Sequence, residues 1–257
     1  MKMKKETILV LGHKGMLGNT VISYFQKFKN FNVMSISNSR FPEEDFINSV
    51  MNANADFIIN CIGAIPQKSP ESYNINYDLP KWLAENCKSS KIIHPGTDCE
   101  IDNSDYGLSK KKATELLLKE KSITNTKVIK TSVIGPELLT QDSLFSWFLS
   151  RKDNSIIYGY TQHFWSGITS LHWSKIAHRM IEDWENFDNL IIPDSDCISK
   201  YDLLVLLRRI FNKNIVIKKC NKISANKCLE GNYKIPDIEE QIKQLKMFIK
   251  NKKKDQI

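Results

Sequence analysis

The stretch Gly12-His13-Lys14-Gly15-Met16-Leu17-Gly18 decides the fold of this chain. Residues 7–11 before it are largely apolar and rich in β-branched side chains, which predicts a buried parallel strand. Apolar residues then recur at helical spacing: Met16, Leu17, Val21, Tyr24, Phe25 and Phe28. Glycines on a strand-to-helix turn let the backbone approach a diphosphate, and the helix N-terminus favours its charge. The turn therefore predicts a dinucleotide site formed by Gly12, His13, Lys14, Gly15, Met16, Leu17 and Gly18, with a plain tight turn as the alternative.

The composition indicates a globular α/β protein. The chain has 257 residues, enough for one large domain or for a core with a small lobe. No apolar run approaches the roughly 18 residues of a transmembrane helix, and residues 1–6 lead directly into the first strand. We therefore expect a cytoplasmic protein without a signal peptide. Its six cysteines are scattered, so free thiols and no metal site are expected.

The formal net charge of +8 does not predict a nucleic-acid partner. The lysines are dispersed apart from residues 110–112 and 250–254, and no basic stripe with interleaved aromatic residues is present. Solvated faces and a basic tail explain the charge. We expect neither nucleic-acid binding nor membrane insertion.

The end of the second predicted strand, residues 32–37, bears on the choice of cofactor. In a dinucleotide fold the adenine ribose lies there, and an acidic residue would repel a 2′-phosphate. This chain instead has Ser37, Asn38 and Arg40, while Lys14 lies inside the glycine turn. A guanidinium and hydrogen-bonding side chains suit a 2′-phosphate, so NADPH is preferred over NADH. The alternative is that Arg40 and Lys14 are ordinary surface cations.

The third predicted strand begins at Asp56 and ends in the small-residue turn Cys61-Ile62-Gly63, which would let the backbone contact the cofactor. The helix predicted over residues 72–87 contains Asn76. That residue is either a hydrogen-bonding contact to the substrate or a helix-surface asparagine.

A fourth predicted strand, residues 91–98, places Thr97 at the sheet edge where ligands of parallel sheets bind. The following helix carries Tyr106 and Lys110 at i, i+4, which puts them on one face. A nearby ammonium favours tyrosinate, so we expect Lys110 to lower the pKa of Tyr106 towards neutrality. Such a tyrosine would protonate an alkoxide as it forms.

Together these segments resemble the extended short-chain dehydrogenase/reductases, and among them the dTDP-4-dehydrorhamnose reductase branch. The matching residues are Gly12, Gly15 and Gly18, the strand Ile58-Ile59-Asn60-Cys61, Asn76, Thr97-Asp98, Tyr106, Lys110, the segment Lys130-Thr131-Ser132-Val133-Ile134-Gly135 and the segment Phe164-Trp165-Ser166-Gly167-Ile168-Thr169. The resemblance implies a doubly wound parallel sheet (Rossmann fold) with a smaller C-terminal substrate-binding lobe. It divides the chain into a core over residues 1–133 and a lobe over 134–257, with segments that return to the core sheet.

The resemblance also implies a catalytic set. Thr97 would hydrogen-bond the keto oxygen, Tyr106 would donate the proton, and Lys110 would bind the nicotinamide ribose and tune Tyr106. Two departures stand out: only residues 98–105 separate Thr97 from Tyr106, where the family has a longer loop, and Gly96 replaces a common serine. Eight residues can span about 26 Å, so the set can still close. We expect the serine replacement to have little effect.

In the second half of the chain, aromatic residues cluster at Tyr158, Tyr160, Phe164 and Trp165, near His163. Such rings line the substrate cleft in this fold and pack on a base or a sugar, although ordinary lobe core is an equal alternative. We assign Trp165 to substrate binding. Lys227 lies where relatives carry a basic residue near the substrate diphosphate.

The resulting prediction is an NADPH-dependent reduction of the C4 ketone of a nucleotide-linked 4-keto-6-deoxy sugar, in deoxysugar biosynthesis for surface glycans. The partner is the nucleotide sugar, and a homodimer is compatible with the sequence. One alternative is a non-catalytic NADP-binding regulatory subunit, like that of methionine adenosyltransferase. Another is a nucleotide-sugar epimerase or dehydratase. A dehydratase would need acid/base carboxylates after Thr97, where the chain has Asp98, Cys99 and Glu100.

Overall fold

A computed structural model describes residues 5–67 and 72–254, so most of the N-terminal stretch 1–6 lies outside the described residues. The strands are, in chain order, β1 (Glu6–Leu11), β2 (Phe31–Ser35), β3 (Phe57–Asn60), β4 (Lys91–Gly96), β5 (Thr126–Lys130), β6 (Val133–Ile134), β7 (Ile156–Trp165), β8 (Ile168–Thr169), β9 (Leu190–Ile191), β10 (Pro193–Asp194), β11 (Ile198–Ser199), β12 (Val216–Lys227) and β13 (Tyr233–Lys234). The helices are α1 (Met16–Phe25), α2 (Glu44–Asn52), α3 (Ile75–Asn86), α4 (Asp105–Lys119), α5 (Leu144–Ser150), α6 (Ser170–Glu182), α7 (Lys200–Phe211) and α8 (Ile238–Lys254). Short 3₁₀ turns cover Asp98–Ile101 and Trp184–Asn186. Within the described residues, no helix combines the length and apolarity needed to cross a membrane.

The central sheet has six parallel strands in the order β2-β1-β3-β4-β5-β9. Ile8 of β1 pairs with Val33 of β2 on one side and with Phe57 of β3 on the other. Successive strands are therefore added on opposite sides of β1, which makes this the topological switch point of the sheet. This confirms the predicted doubly wound sheet. A ligand groove is expected beyond the carboxyl ends of β1 and β3, at the switch point.

Each central strand contributes to two hydrophobic layers. Ile8 and Val10 face one core cluster together with Trp173 and Met180 of α6. Leu9 and Leu11 face the opposite cluster, formed with α2 and α3. Alternate side chains of a strand point to opposite faces, so a strand covered by helices on both sides must be apolar at every position. This is why β1 reads as a continuous apolar run.

The second half of the chain builds a separate core around β7. That strand is central in a three-stranded sheet, β11-β7-β12, and its helices α5, α7 and α8 bury a cluster that includes Phe145, Phe148, Leu203, Leu207, Ile242 and Leu245. β12 runs parallel to β7 as far as Lys227. Most of β12 is exposed, so its sequence lacks the apolar alternation that marks a half-buried strand.

The expectation that every cysteine is a free thiol is wrong. Cys197 and Cys228 form a disulfide with a Cα–Cα distance of 5.6 Å. Cys197 precedes β11 and Cys228 follows β12, and these two strands flank β7. The sheet therefore brings together two residues that are 31 positions apart. The free cysteines are Cys61, Cys87, Cys99 and Cys220.

Candidate functional site

The glycine turn is shaped by two close backbone approaches. Gly12 has φ +77°, and a Cβ there would lie 2.8 Å from the carbonyl carbon of Cys61. A Cβ at Gly18 would lie 2.3 Å from the Gly12 carbonyl oxygen. Only glycine allows β1, α1 and the end of β3 to meet this closely. The turn presents the N-terminus of α1 to the edge of the sheet.

One cavity, of about 490 Å³, lies beyond the end of β2, and we call it the β2 cavity. The predicted cofactor residues that line it are Gly12, His13, Lys14, Ser37, Asn38, Arg40 and Ile62. Glu43 also lines it, but its carboxylate accepts the Arg40 backbone N–H at 3.0 Å. The cavity is therefore rich in cations and hydrogen-bonding groups, which suits a phosphorylated ribose.

A second cavity, of about 500 Å³, lies beyond β3, β4 and β5, and we call it the central cleft. The predicted residues that line it are Gly15, Met16, Leu17, Cys61, Ile62, Gly63, Asn76, Thr97, Tyr106, Lys110 and Trp165. Ile62 borders both cavities, and the glycine turn lies between them. The two cavities therefore adjoin along the glycine turn, and the central cleft extends to Thr97, Tyr106 and Lys110.

The short connection after Thr97 folds tightly. Thr97 is the N-cap of the turn Asp98–Ile101, and its hydroxyl accepts the Cys99 backbone N–H at 3.3 Å and donates to Asp98 Oδ1 at 3.1 Å. Ser104 then caps α4, so Tyr106 lies in the first turn of that helix. Both side chains line the central cleft, and the Thr97 hydroxyl lies close enough to the Tyr106 phenol to affect its pKa. Eight intervening residues are thus enough to bring the two side chains together.

The expectation that Tyr106 has a lowered pKa is wrong for this structure. Burial raises the pKa of Tyr106 to about 12, and neighbouring Cys99 and Asp98 add to the rise, while the Thr97 hydroxyl opposes it. The Lys110 ammonium is directed elsewhere: it donates to the Pro95 carbonyl at 2.6 Å and lies 3.3 Å from His94 Nε2. Tyr106 is therefore a neutral phenol, the form that donates a proton.

Lys110 is a buried cation at the base of the cleft. Burial lowers the pKa of Lys110 to about 8, and the Glu100 carboxylate opposes the shift. Burial and Lys110 together hold the pKa of His94 well below its usual value, so His94 is neutral. Near neutral pH Lys110 keeps its proton beside an uncharged imidazole.

Glu100 is the fixed anion of the site, and the sequence suggested a role for it only in a dehydratase. Its Oε1 accepts the Thr97 backbone N–H at 3.0 Å and the Thr114 hydroxyl at 2.9 Å. Its Oε2 pairs with Lys130 at 2.9 Å, and its side chain is 1% exposed. A Cβ at Gly96 would lie 3.0 Å from Glu100 Oε1 and from Lys130 Cβ. Gly96 therefore leaves room for the Glu100–Lys130 pair, and the little effect expected of the serine replacement stays a prediction.

The remaining predicted substrate residues lie in different surroundings. Asn76 lines the cleft, but its side chain binds both backbone groups of Ala64 and the Ser109 hydroxyl, and so ties the turn after β3 to α4. Lys227 forms an ion pair with Asp102. Tyr158 and Tyr160 line a different cavity, beside Trp147. Of the aromatic cluster on β7, Trp165 is the member that lines the central cleft.

Lys200 is a cleft residue that the sequence analysis missed. It is the first residue of α7, lines the central cleft, and places its ammonium 4.8 Å from the centre of the Trp165 ring. Burial lowers the pKa of Lys200 to about 8, against the opposing effect of the Asp98 carboxylate. A lysine at the start of a predicted helix is usually an exposed cation, so the sequence did not indicate that Lys200 lies in the cleft.

Comparison with solved structures identifies the fold. No protein-family model matches the sequence, and no curated protein matches it. A dTDP-4-dehydrorhamnose reductase from Clostridium acetobutylicum aligns with a TM-score of 0.72 and 16% identity, over 95% of this chain and 99% of that one. The enzyme of the same name from Bacillus anthracis, in complex with NADP, gives 0.76 and 13% over the same shares. A GDP-mannoheptose C4 reductase from Campylobacter jejuni with NADP bound gives 0.63 and 12%, over 97% of this chain and all of that one. The chain therefore has the fold of the dTDP-4-dehydrorhamnose reductases and related nucleotide-sugar enzymes of the extended short-chain dehydrogenase/reductase type.

Proposed function

We propose that this chain is an NADPH-dependent reductase of the C4 ketone of a nucleotide-linked 4-keto-6-deoxy sugar. The observation that carries the proposal is that Thr97 and Tyr106 line the same central cleft. Two hydroxyls in one cleft can both hydrogen-bond a single carbonyl oxygen. The glycine turn and Lys110 border the same cleft.

In this proposal Tyr106 donates the proton and Thr97 orients the ketone. NADPH would supply the hydride when bound. Because burial raises the pKa of Tyr106 to about 12, the phenol carries its proton throughout the physiological range. The Lys110 ammonium, held by the Pro95 carbonyl, lines the same cleft and would bind the nicotinamide ribose there.

The β2 cavity supports NADPH as the cofactor. Arg40 and Lys14 line it together with Ser37, and a guanidinium forms two parallel hydrogen bonds to a phosphate. The carboxylate in this cavity, Glu43, is already bonded to the Arg40 backbone. The solved Bacillus anthracis and Campylobacter jejuni enzymes with this fold were crystallised with NADP.

The carboxylates beside Thr97 disfavour the dehydratase alternative. Glu100 holds Thr97, Thr114 and Lys130 and is buried, so it is not available to move protons on a substrate. Asp98 lines the cleft, and its Oδ1 accepts the Thr97 hydroxyl. Glu100 therefore cannot serve as one member of the acid/base pair that an elimination of water needs.

The decisive experiment is a turnover assay with NADPH and a panel of dTDP-, UDP- and GDP-linked 4-keto-6-deoxy sugars. We expect one member to oxidise NADPH, and Tyr106→Phe to lose that activity while still binding NADPH. Tyr158→Phe, which changes an exposed tyrosine outside the cleft, is the matched control and should retain full activity. If NADPH binds but no member of the panel turns over, the reductase proposal fails and the regulatory-subunit alternative gains.

A further inference from the structure

Lys200 is held in place by the fold rather than by a partner charge. Ser199 of β11 caps α7, since its hydroxyl accepts the Asp202 backbone N–H at 3.0 Å, and it pairs with Phe164 of β7. Lys200 therefore starts a helix whose position is set by the β11-β7 ladder. Its ammonium lies over the ring of Trp165, which is 1% exposed.

The charge of Lys200 lacks a close counter-ion among the residues that the structure describes. Asp102 pairs with Lys227, Glu100 pairs with Lys130, and Asp98 Oδ1 accepts the Thr97 hydroxyl. Asp98 acts on Lys200 only as a neighbouring charge, and burial still lowers the pKa of Lys200 to about 8. A desolvated cation without a paired anion is costly unless a ligand supplies the anion.

We infer that Lys200 forms a subsite for an anionic group of the substrate, with the buried ring of Trp165 fixing the position of the lysine. The inference rests on the proposed function, because it assigns a role to a residue of the same cleft. The anion is a phosphate oxygen of the nucleotide diphosphate, which an ammonium binds through charge-assisted hydrogen bonds.

The test is calorimetric titration of the full-length protein, saturated with NADP⁺, with dTDP, UDP, GDP, UDP-glucose and UDP-glucuronate. Lys200→Met removes the charge and keeps an unbranched stem on Trp165. Lys219→Met is the matched control, because Lys219 also lies over an aromatic ring, 5.4 Å from the centre of Tyr201, but outside the cleft. The affinity of each variant for NADPH shows that the fold and the cofactor site are intact.

We expect Lys200→Met to weaken binding at least tenfold, Lys200→Arg to retain most of it, and Lys219→Met to bind like wild type. Loss with a nucleoside diphosphate alone identifies the phosphate as the anion. Loss confined to UDP-glucuronate, with UDP-glucose unaffected, would overturn the assignment of Lys200 to the diphosphate. Equal affinities of Lys200→Met and wild type overturn the inference and leave the proposed function standing. A wild-type protein that binds NADPH but none of these ligands contradicts the proposed substrate class itself.

Discussion

Glu100 Oε1 accepts the backbone N–H of Thr97 at 3.0 Å, so a buried carboxylate fixes the residue that would orient the substrate. The same carboxylate binds Lys130 of β5 and Thr114 of α4. Thr97 is therefore tied to the elements on either side of it by a single side chain. A connection of only eight residues between Thr97 and Tyr106 can remain rigid because this anion lies at its centre.

Glu100→Gln should destabilise the protein. The amide oxygen can still accept the Thr97 N–H, but Lys130, whose side chain is 19% exposed, loses its counter-ion. We expect a loss of about 2–3 kcal/mol in the free energy of unfolding, near the lower end for a broken buried pair. Urea denaturation measures it. Glu115→Gln, which breaks the exposed i, i+4 pair with Lys119, should cost below about 0.5 kcal/mol. Equal losses in the two variants would contradict the role of Glu100.

Under the proposed function, the rate of ketone reduction should fall as the pH rises through about 8. Lys110 loses its proton there, because burial has lowered its pKa to about 8. Ionisation of Tyr106 does not change the rate below pH 10, since its pKa is raised to about 12. The measurement is kcat against pH at saturating NADPH and substrate.

Two variants identify the group whose loss of a proton causes this fall in rate at high pH. Lys110→Arg should remove it, because a guanidinium stays protonated. Glu100→Gln should move it to lower pH, because the Glu100 carboxylate raises the pKa of Lys110. A fall that persists in Lys110→Arg would assign the titration to another group.

The sequence was most informative where one local requirement determines the residue type. A backbone approach at the Gly12 turn excludes every side chain, and β1 must be apolar on both faces, so both features could be predicted from short segments. The i, i+4 spacing of Tyr106 and Lys110 likewise follows from helix geometry. The sequence could not predict the direction in which the pKa of Tyr106 shifts, because that shift depends on burial and on where the Lys110 ammonium points.

The features that escaped prediction all depend on distant segments. β12 is recognisable only by its pairing with β7, and Cys197 meets Cys228 only because β11 and β12 flank that strand. Lys200 enters the cleft because Ser199 pairs with Phe164. The spacing of residues along the sequence cannot reveal these contacts, because the partners are separated by 31 or more residues in each case.

The Cys197–Cys228 disulfide should stabilise the oxidised protein. It closes a loop of 31 residues, which by chain entropy corresponds to about 3–4 kcal/mol. Cys197→Ser should lower the free energy of unfolding by that amount, and dithiothreitol should lower it in wild type but not in the variant. Cys220→Ser, a change to a free cysteine, is the control. Thiol titration of the unfolded, unreduced protein should find four free thiols, and a count of six would disprove the disulfide.

Arg40→Ala should weaken NADPH binding and leave NADH binding unchanged. Arg40 lines the β2 cavity beside Lys14 and Ser37, where a 2′-phosphate would lie, and NADH lacks that phosphate. Loss of a charge-assisted contact of about 1.4 kcal/mol corresponds to a tenfold rise in Kd for NADPH. Fluorescence titration of both cofactors measures the ratio, with Arg208→Ala, an exposed arginine of α7, as the control. If both affinities stay the same, Arg40 is a surface cation. If both fall together, its contribution is to the shape of the cavity, because only a contact with the 2′-phosphate distinguishes the two cofactors.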